Sequence, residues 1–540
     1  MSASPAPSIR PKKTTGLRYW MLRVLEECDN VSEEFSPDSV HDLRVSLRRC
    51  RSLADGLMAI DPDPDWKAMK KAGKRLFQRL GDLRDIHVME EWVEKLERSH
   101  PEAGRSPALL ADRNPAPMVG VASASNPTEA VAQDLLKILK EGEQEQKNEA
   151  KGALEEFDRK QWRRWSKSLP ARAARIRPGS ALFKHLALER WIDARQLHTR
   201  ALRNRSKIAL HSLRIGIKRF RYIVENFLPL EHKAWSDDLK EMQDLLGEVH
   251  DLDVLWSTAI SSHLFPDQHS RQSWHERILF ERSKRVDRYR AKMVGEGSLW
   301  NMWRAALPQG KQIEQLATRR MKFWASHLDP DFSHSERVAS LAVQLYDGLL
   351  ASKWQSAVGP VSARFSLHAA ALLHDVGKAK GERNHHKKSF TVIQAHGNPL
   401  GWKPADFRRA AIVARFHRGA LPTRRHRLLR DLLPDEQKAT IQLAAMLRLA
   451  NALDAGHDGQ IRRIQIENVE NNKRENLKKR TAGFRRKLPS LDQNEPLIIL
   501  AQGYRPLGRS AQTIAAERHL LETVLRRPVI VTSSGATKRA

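Results

Sequence analysis

Residues 40–51 read VHDLRVSLRRCR, and residues 210–221 repeat the pattern as LHSLRIGIKRFR. A second pair follows in the same order, since residues 80–85 read LGDLRD and residues 246–251 read LGEVHD. The two offsets are 170 and 166 residues, so the first half of the chain contains a duplicated unit. Both copies have the apolar spacing of amphipathic helices, and this predicts a duplicated helical bundle.

Each copy of the first segment carries a stripe of basic side chains on one helix face. At 100° per residue, His41, Arg44 and Arg48 lie within about 60° of one another, and Leu43 and Leu47 lie on the opposite face. Like charges at this spacing repel by roughly a few tenths of a kcal/mol per pair, and a bound polyanion would offset that cost. A solvated basic face is the alternative for one helix alone, but the recurrence in register favours polyanion binding.

The second copy and two lysines complete the candidate anion-binding set. Lys74 and Lys240 lie six residues before the two Leu-Gly pairs. Asp85 and Asp251 end those segments, and we expect them to orient the basic side chains. The ten candidate residues are His41, Arg44, Arg48, Arg51, Lys74, His211, Arg214, Lys218, Arg221 and Lys240.

Length and composition limit the class of protein. The 540 residues include 94 Lys and Arg against 64 Asp and Glu, a formal net charge of +30, and 40% of them are hydrophobic. These values predict several globular domains and an anionic partner. No apolar run approaches the roughly 18 residues of a spanning helix, and the first residues lack a secretory apolar region. Two cysteines exclude a disulfide framework, so we expect a cytoplasmic protein.

We divide the chain at residue 310, where a helical, arginine-rich half gives way to a histidine-rich half. Residues 1–310 contain 54 Lys and Arg against 44 Asp and Glu, whereas residues 311–540 contain 40 against 20. The shorter half is therefore the more basic one. A stretch rich in Pro, Ala, Ser and Gly at about 101–127 indicates a loop inserted in the first copy.

The second half contains LLHDVGK at residues 372–378. His374 and Asp375 follow an apolar helical run, and two further runs carry a histidine and an aspartate at their ends. Two imidazoles and two carboxylates from three helices form a mixed donor set that suits a divalent cation such as Mn²⁺, Mg²⁺, Fe²⁺ or Zn²⁺. The predicted metal ligands are His334, His374, Asp375 and Asp454.

Three further residues are candidates for catalysis beside this cation. Lys378 can neutralise charge on a transferred phosphoryl group. His386 and His417 can complete a second metal site or act as general acids. A buried, hydrogen-bonded histidine is the alternative for His417. The neighbouring His385 is as suited to a phosphate contact as to metal ligation.

The first half resembles the CHAD domain, the conserved histidine α-helical domain, in its duplicated His-x-x-Arg helix and its L-G-x-x-x-D segment. The resemblance covers roughly residues 15–300. It implies two helical bundles related by a pseudo-two-fold axis. It also implies that the ten basic residues bind inorganic polyphosphate in a channel between the bundles.

The second half resembles the HD superfamily of phosphohydrolases, and more narrowly the C-terminal HD-type domain of the exopolyphosphatase and guanosine-pentaphosphate phosphohydrolase family. The matching stretches are HSERVASLA, LHAAALLHDVGK, NHHKKSF, IVARFHRG and LRLANALD, within about residues 325–535. Apolar runs at 464–466, 497–500 and 529–531 predict a small sheet, which also fits that family. Those relatives carry an actin-like ATPase-type domain in front, in the place that CHAD takes here. Their usual polyphosphatase mechanism is therefore not expected.

The predicted fold class is mainly α, with a duplicated helical-bundle CHAD domain over residues 1–310 and an all-α HD-type domain with a small C-terminal sheet over residues 311–540. The leading hypothesis is a polyphosphate-binding protein whose second half is a metal-dependent phosphohydrolase acting on polyphosphate or a phosphorylated nucleotide. The alternatives are a non-catalytic polyphosphate-binding or sensing protein and a protein that binds nucleic acid non-specifically. No membrane partner is expected, and a homodimer stays open.

Overall fold

The computed structural model describes residues 16–98, 127–204, 206–352, 362–467 and 496–533. The chain forms two compact units, Met1–Gln309 and Gly310–Ala540. The loop predicted at about 101–127 lies, up to residue 126, outside the described residues. Among the helices that are described, none is both long and apolar enough to cross a bilayer.

The described part of the first unit is built from helices. They are α1 (Leu17–Glu33), α2 (Pro37–Met58), α3 (Pro64–Ala72), α4 (Lys74–Arg98), α5 (Pro127–Glu155), α6 (Arg159–Ala173), α7 (Ala181–Asn204), α8 (Lys207–Phe227), α9 (Pro229–Ser261), α10 (Gln268–Met293) and α11 (Leu299–Ala305). Helix α2 packs on α1 and α8, and α8 packs on α7 and α9. Helices α4 and α9, which carry the Leu-Gly segments, also pack on each other.

The two copies of the repeat fold as equivalent helices with equivalent starts. Helix α2 begins after Ser36, whose Oγ accepts a hydrogen bond from Ser39 N at 3.3 Å. Helix α8 begins after Ser206, whose Oγ accepts a hydrogen bond from Ala209 N at 3.2 Å. A serine at this position satisfies a backbone amide that the helix leaves unpaired. Each serine lies four residues before its repeat segment, so the duplication includes the cap.

The apolar face predicted for each repeat helix is buried. Each of the predicted core side chains is 0% exposed: Leu43, Leu47 and Cys50 of α2 and Leu213, Ile217 and Phe220 of α8. Burial of one large apolar side chain stabilises the fold by about 1.5–3 kcal/mol. The basic stripes lie on the other face, where their side chains are half-buried or exposed.

The second unit is a helical layer with a small sheet beside it. Its helices are α12 (Lys311–Ala325), α13 (Phe332–Leu350), α14 (Ser362–Leu373), α15 (His385–His396), α16 (Pro404–Arg415), α17 (Arg427–Arg430), α18 (Pro434–Leu453) and α19 (Arg509–Leu525). Its strands are β1 (Arg463–Ile466), β2 (Leu497–Gln502) and β3 (Val529–Ser533). Strand β2 is central, antiparallel to β1 and parallel to β3.

The sheet and the helices of this unit share one hydrophobic core. Helix α13 packs on α14, α18 and β1, and α18 packs on α19. Ile464, Leu497 and Val529 extend the core from the three strands. The predicted sheet of three apolar runs is confirmed, as is the mainly α fold class.

Gly56 sets the approach of α2 to α8 and provides a test of this packing. A Cβ at Gly56 would overlap the ring of Phe227, which stacks on Phe183 with 4.1 Å between centroids. Gly56→Ala should lower the free energy of unfolding by about 1–3 kcal/mol, because the buried ring has no room to move. Urea unfolding followed by circular dichroism measures the change.

Gly152→Ala in α5 is the matched control, because nothing lies within 4 Å of a Cβ built at that position. Alanine is the better helix former, so this variant should gain about 0.5–1 kcal/mol. Equal changes in the two variants would contradict the close packing at Gly56.

Candidate functional site

Five buried side chains of the second unit converge on one point. His334 lies in the first turn of α13, His374 and Asp375 follow α14, His385 begins α15 and His417 follows α16. Each is 3% exposed or less. Helices α13 and α16 both pack on α14, and α15 packs on α16 and on the 3₁₀ turn after Asp375. The helical core therefore fixes the positions of all five.

Gly377 lets the turn after Asp375 lie directly against α15. Gly377 N donates to Ser389 Oγ at 2.9 Å, and Ser389 Oγ donates to His374 O at 2.6 Å. A Cβ at Gly377 would overlap the backbone of His385 and Ser389. The serine thus joins the His-Asp segment to α15, and only a residue without a side chain fits between them.

Three of the imidazoles have the same tautomer for the same reason. In His374, His385 and His417 the Nδ1 atom lies 2.7, 3.0 and 2.8 Å from the backbone carbonyl oxygen three residues earlier. A carbonyl oxygen only accepts, so each Nδ1 carries the proton and donates. In its neutral form each ring therefore presents the lone pair of its Nε2 atom. Burial lowers the pKa of His374 and of His417, which keeps these two rings neutral.

These lone pairs meet the carboxylate of Asp375. The Nε2 atoms of His385 and His417 lie 3.2 and 3.7 Å from Asp375 Oδ1, and the two nitrogens are 3.1 Å apart. His374 Nε2 lies 3.5 Å from Asp375 Oδ2 and has no hydrogen-bond partner among the described residues. Lone pairs and a carboxylate repel one another unless a cation lies between them. The residues present therefore fit a divalent metal ion.

The donor atoms fall into two overlapping sets. One set is His334, His374 and Asp375, and the other is Asp375, His385 and His417, with the atoms of each set within 4.8 Å of one another. Both contain imidazole nitrogen and carboxylate oxygen, as Mn²⁺, Fe²⁺ and Zn²⁺ accept. Asp375 belongs to both sets, so it is the residue on which either site depends.

Asp454, which the sequence predicts as a metal ligand, contacts His334 and is not a member of either donor set. Asp454 Oδ2 accepts from His334 Nδ1 at 2.7 Å and from Arg337 Nε at 2.9 Å, and Oδ1 accepts from Gly459 N at 3.1 Å. Because its oxygens are already bonded, Asp454 orients His334. The Nε2 atom of His334 lies 3.0 Å from Asn451 Oδ1, and His334 belongs to the first donor set with His374 and Asp375.

Lys378 and His417, two of the predicted catalytic residues, both lie close to Asp375. Lys378 Nζ lies 2.6 Å from Asp375 Oδ2, and its side chain is 14% exposed. Burial opposes ionisation of Asp375, but the neighbouring Lys378 ammonium helps to hold the pKa of its carboxyl below the usual range. His417 belongs to a donor set, as one reading of the sequence proposed.

His386 does not belong to either donor set. His385 instead joins Asp375 and His417 in the second set, where the sequence suggested His386. The two adjacent rings stand nearly at right angles, with an interplanar angle of 88° and centroids 6.0 Å apart. Which of the two faces Asp375 depends on where α15 begins. That start follows Asn384, whose backbone is left-handed with φ at 57°.

In the first unit the basic stripes face a cavity of about 140 Å³. Its charged and polar lining residues are Arg44, Arg214, Lys218, Asp85, Asp251 and His250. Helices α2 and α8 supply the cations, and α4 and α9 supply the acids and the histidine. The two copies of the repeat thus contribute to one basic, partly enclosed site.

The glycine of each Leu-Gly pair lies beside the arginine of its own copy. A Cβ at Gly81 would lie 3.6 Å from Arg44 Nη2, and a Cβ at Gly247 would lie 3.9 Å from Arg214 Nε. A larger side chain at either glycine would compete with the guanidinium for that space. The equivalent contacts explain why the two segments recur together in the sequence.

Burial and the neighbouring charges shift the protonation equilibria of this cavity. Burial, and then the charges of Arg214 and Arg48, lower the pKa of Lys218 to about 8. Burial raises the pKa of Asp251 to about 6, although Arg214 opposes the shift. A site that disfavours its own positive charge gains stability when an anion enters.

Residues 21–259 match the family model described as CHAD domain. The first unit contains a CHAD domain. Residues 318–495 match the family model described as Ppx/GppA phosphatase, domain III. The chain therefore joins a CHAD domain to a domain related to exopolyphosphatase-type phosphatases.

One solved structure is also similar to part of the chain. The crystal structure of the CHAD domain from the plant Ricinus communis is 20% identical, and the match covers 54% of this chain and 90% of that chain with a TM-score of 0.33. No curated protein matches the chain.

The ten predicted anion-binding residues are not equally placed in the CHAD domain. Three of them, Arg44, Arg214 and Lys218, line the cavity. Arg48 is half-buried and lies close enough to Lys218 to lower its pKa. The others are half-buried or exposed along the same helices or their neighbours: His41, Arg51, Lys74, His211, Arg221 and Lys240.

The contact between Gly377 and α15 gives a direct test of the cluster's support. Gly377→Ala should lower the free energy of unfolding by about 3 kcal/mol, because two backbone segments must separate. Ser389→Ala should cost less, about 1–2 kcal/mol, since it removes hydrogen bonds without forcing backbone movement. Thermal unfolding by calorimetry ranks the two variants. A neutral Gly377→Ala would contradict the packing described here.

Proposed function

We propose that this chain binds inorganic polyphosphate with its CHAD domain and hydrolyses phosphate bonds with a divalent metal held in an HD-type second unit. One observation supports the hydrolytic part above all. Three buried imidazoles present their Nε2 lone pairs to the carboxylate of Asp375. The relation of this unit to Ppx/GppA phosphatase, domain III, supports a phosphate substrate.

The side chains divide into those that hold a cation and those that remain for the substrate. His374, His385 and His417 with Asp375 would hold the metal, which supplies Lewis-acid chemistry for phosphoryl transfer to water. In that transfer water forms a bond to phosphorus, the bond to the leaving phosphate breaks, and a proton of the water is released. Lys378 Nζ is beside Asp375 and partly exposed, so it can neutralise a phosphoryl oxygen.

The CHAD cavity supports the binding part of the proposal. A linear polyanion with regularly spaced charges matches a site to which two repeats contribute equivalent arginines, Arg44 and Arg214. Phosphate oxygens accept hydrogen bonds from guanidinium groups in a bidentate geometry. Lys218 would regain its full charge when such an anion binds, because its pKa would rise from about 8.

A second candidate function is polyphosphate binding without turnover. The family match in the second unit is to one domain of a phosphatase family, domain III, which favours an accessory role as the alternative. The two candidates differ in what happens to polyphosphate in the presence of a divalent metal.

Phosphate release separates the two candidates. With Mn²⁺ present, the full chain should release orthophosphate from long-chain polyphosphate, and Asp375→Asn should reduce the rate by about 100-fold or more. Asp435→Asn changes an exposed aspartate on α18 and should leave the rate unchanged. Release that survives in Asp375→Asn, or no release from any condensed phosphate, would contradict the hydrolytic proposal.

The protonation of the CHAD cavity predicts how polyphosphate binding depends on pH. Lys218 loses its proton as the pH rises through about 8, so the affinity should fall by about 10-fold between pH 7 and 9. Asp251 gains a proton as the pH falls through about 6, so the affinity should rise between pH 7 and 5. Fluorescence anisotropy of end-labelled polyphosphate measures both changes.

Lys218→Arg is the control for the alkaline limb, because arginine stays charged throughout this range. The decrease above pH 8 should disappear in this variant while the rise below pH 6 remains. A wild-type affinity that does not change between pH 7 and 9 would contradict the role given to Lys218.

A further inference from the structure

The turn that carries His417 is held by a side chain from another helix. Arg448 lies on α18 and is 5% exposed. Its Nη1 atom donates to Phe416 O at 3.1 Å and to Gly419 O at 3.2 Å. One buried guanidinium therefore bonds the backbone on both sides of the histidine.

The two carbonyl groups need this partner because they lie where α16 has ended. Phe416 directly follows the last residue of the helix. The carbonyl groups at the end of a helix have no partner within it, and a cation there also interacts favourably with the helix dipole. Gly419 has φ at 80°, a left-handed conformation that glycine adopts at little cost. The turn thus places both carbonyl groups at the same arginine, and Arg448 caps α16 from α18.

The other side of this guanidinium is fixed by an acid on α19. Arg448 Nε donates to Glu517 Oε2 at 2.6 Å, and the Glu517 side chain is 26% exposed. Helix α19 packs on α18, so both partners are on elements of the core. The guanidinium is a rigid plane, and a carboxylate that fixes Nε also fixes the direction of Nη1. Glu517 therefore orients the group that holds the turn.

Other histidines of the cluster have supports of their own, and these come from a different part of the chain. Ser389 Oγ donates to His374 O at 2.6 Å, and Asp454 Oδ2 accepts from His334 Nδ1 at 2.7 Å. Both supports lie within residues 318–495, which match Ppx/GppA phosphatase, domain III. Glu517 lies beyond that range. The support for His417 thus reaches into a segment that the family match does not include.

Small displacements of His417 would matter at this cluster. Its Nε2 atom lies 3.1 Å from His385 Nε2 and 3.7 Å from Asp375 Oδ1. Bonds from imidazole nitrogen to zinc are about 2.0–2.1 Å long and tolerate only about 0.2 Å of error. A buried ion pair is often no more stabilising than an apolar pair of the same volume. The distinctive consequence of the Arg448–Glu517 pair is therefore the position of His417.

We propose that Arg448 and Glu517 are positioning residues of the metal centre. They act through His417 and are not metal ligands themselves. Helix α19 is then a working part of the centre, although it lies outside the family match. This inference rests on the proposed function and adds to it the part of the chain that keeps His417 in place.

Titration of the full chain with Co²⁺, followed by visible absorption, tests this role. Arg448→Lys keeps the buried charge but has one nitrogen in place of the separate Nε and Nη1 atoms. The Kd for Co²⁺ should rise by about 10-fold or more, and the absorption bands at saturation should change because His417 no longer reaches the ion. Glu517→Gln should act in the same direction by less, since the Nη1 bonds remain.

Arg409→Lys is the matched control. Arg409 is also a buried arginine with an acidic partner, and its Nη1 atom donates to Asp406 Oδ1 at 2.8 Å. It lies on α16 itself, two turns before His417. This variant should lose stability in urea unfolding as Arg448→Lys does, while its Kd for Co²⁺ and its spectrum stay as in wild type.

Hydrogen–deuterium exchange in metal-free buffer measures the turn without any metal. In Arg448→Lys the segment 413–420 should exchange faster by about 10-fold, because hydrogen bonds to a charged group are lost. In Arg409→Lys that segment should exchange as in wild type. If Arg448→Lys does not fold, Glu517→Gln decides both measurements.

The outcomes distinguish this inference from the proposed function. An unchanged Kd for Co²⁺ or unchanged exchange in folded Arg448→Lys would overturn the inference, as would equal losses of affinity in Arg448→Lys and Arg409→Lys. The proposed metal centre would stand in each of these cases. Absence of saturable Co²⁺ binding in wild type would instead contradict the proposed function, and the positioning role with it.

Discussion

The second unit depends on one buried carboxylate and the three lone pairs that face it. Asp375 is 3% exposed, and the Nε2 atoms of His374, His385 and His417 all lie within 3.7 Å of its oxygens. Each ring is fixed by an Nδ1 hydrogen bond to its own backbone, so none can turn its proton inward without losing that bond. Without a cation this arrangement is unfavourable, and the packing of α14, α15 and α16 maintains it. The same arrangement would bind a divalent ion with little reorganisation.

The fold of the CHAD domain likewise holds side chains that repel one another close together. Arg44 and Arg214 occupy equivalent places beside Gly81 and Gly247, and both line one cavity. Burial, and then the charges of the neighbouring arginines, lower the pKa of Lys218 there. Both units therefore hold mutually repelling groups close together. In the CHAD domain these are cations, and in the second unit they are imidazole lone pairs and a carboxylate. On the function proposed above, a phosphate polymer would relieve the first and a metal ion would relieve the second.

The sequence predicts those parts of the fold and of the candidate site that depend on local periodicity. The buried faces of α2 and α8 and the three strands follow from short-range patterns, and the His374–Asp375 pair follows from its motif. The choice of His385 over His386 does not, because it depends on a left-handed residue that sets the start of α15. The hydrogen bonds of Asp454 to Arg337 and Gly459 do not follow from the sequence pattern either, because they depend on tertiary packing. Patterns identify which residue types converge, while tertiary packing decides which atoms face inward.

The most direct test of the central claim compares the two adjacent histidines for metal binding. Titration of the full chain with Co²⁺, followed by its visible absorption, reports ligation by imidazole nitrogen independently of any substrate. We expect saturable binding in wild type, binding weakened by about 10-fold or more in His385→Asn, and binding unchanged in His386→Asn. Equal loss in both variants, or no saturable binding in wild type, would contradict the claim that Asp375 and its three imidazoles form a metal centre.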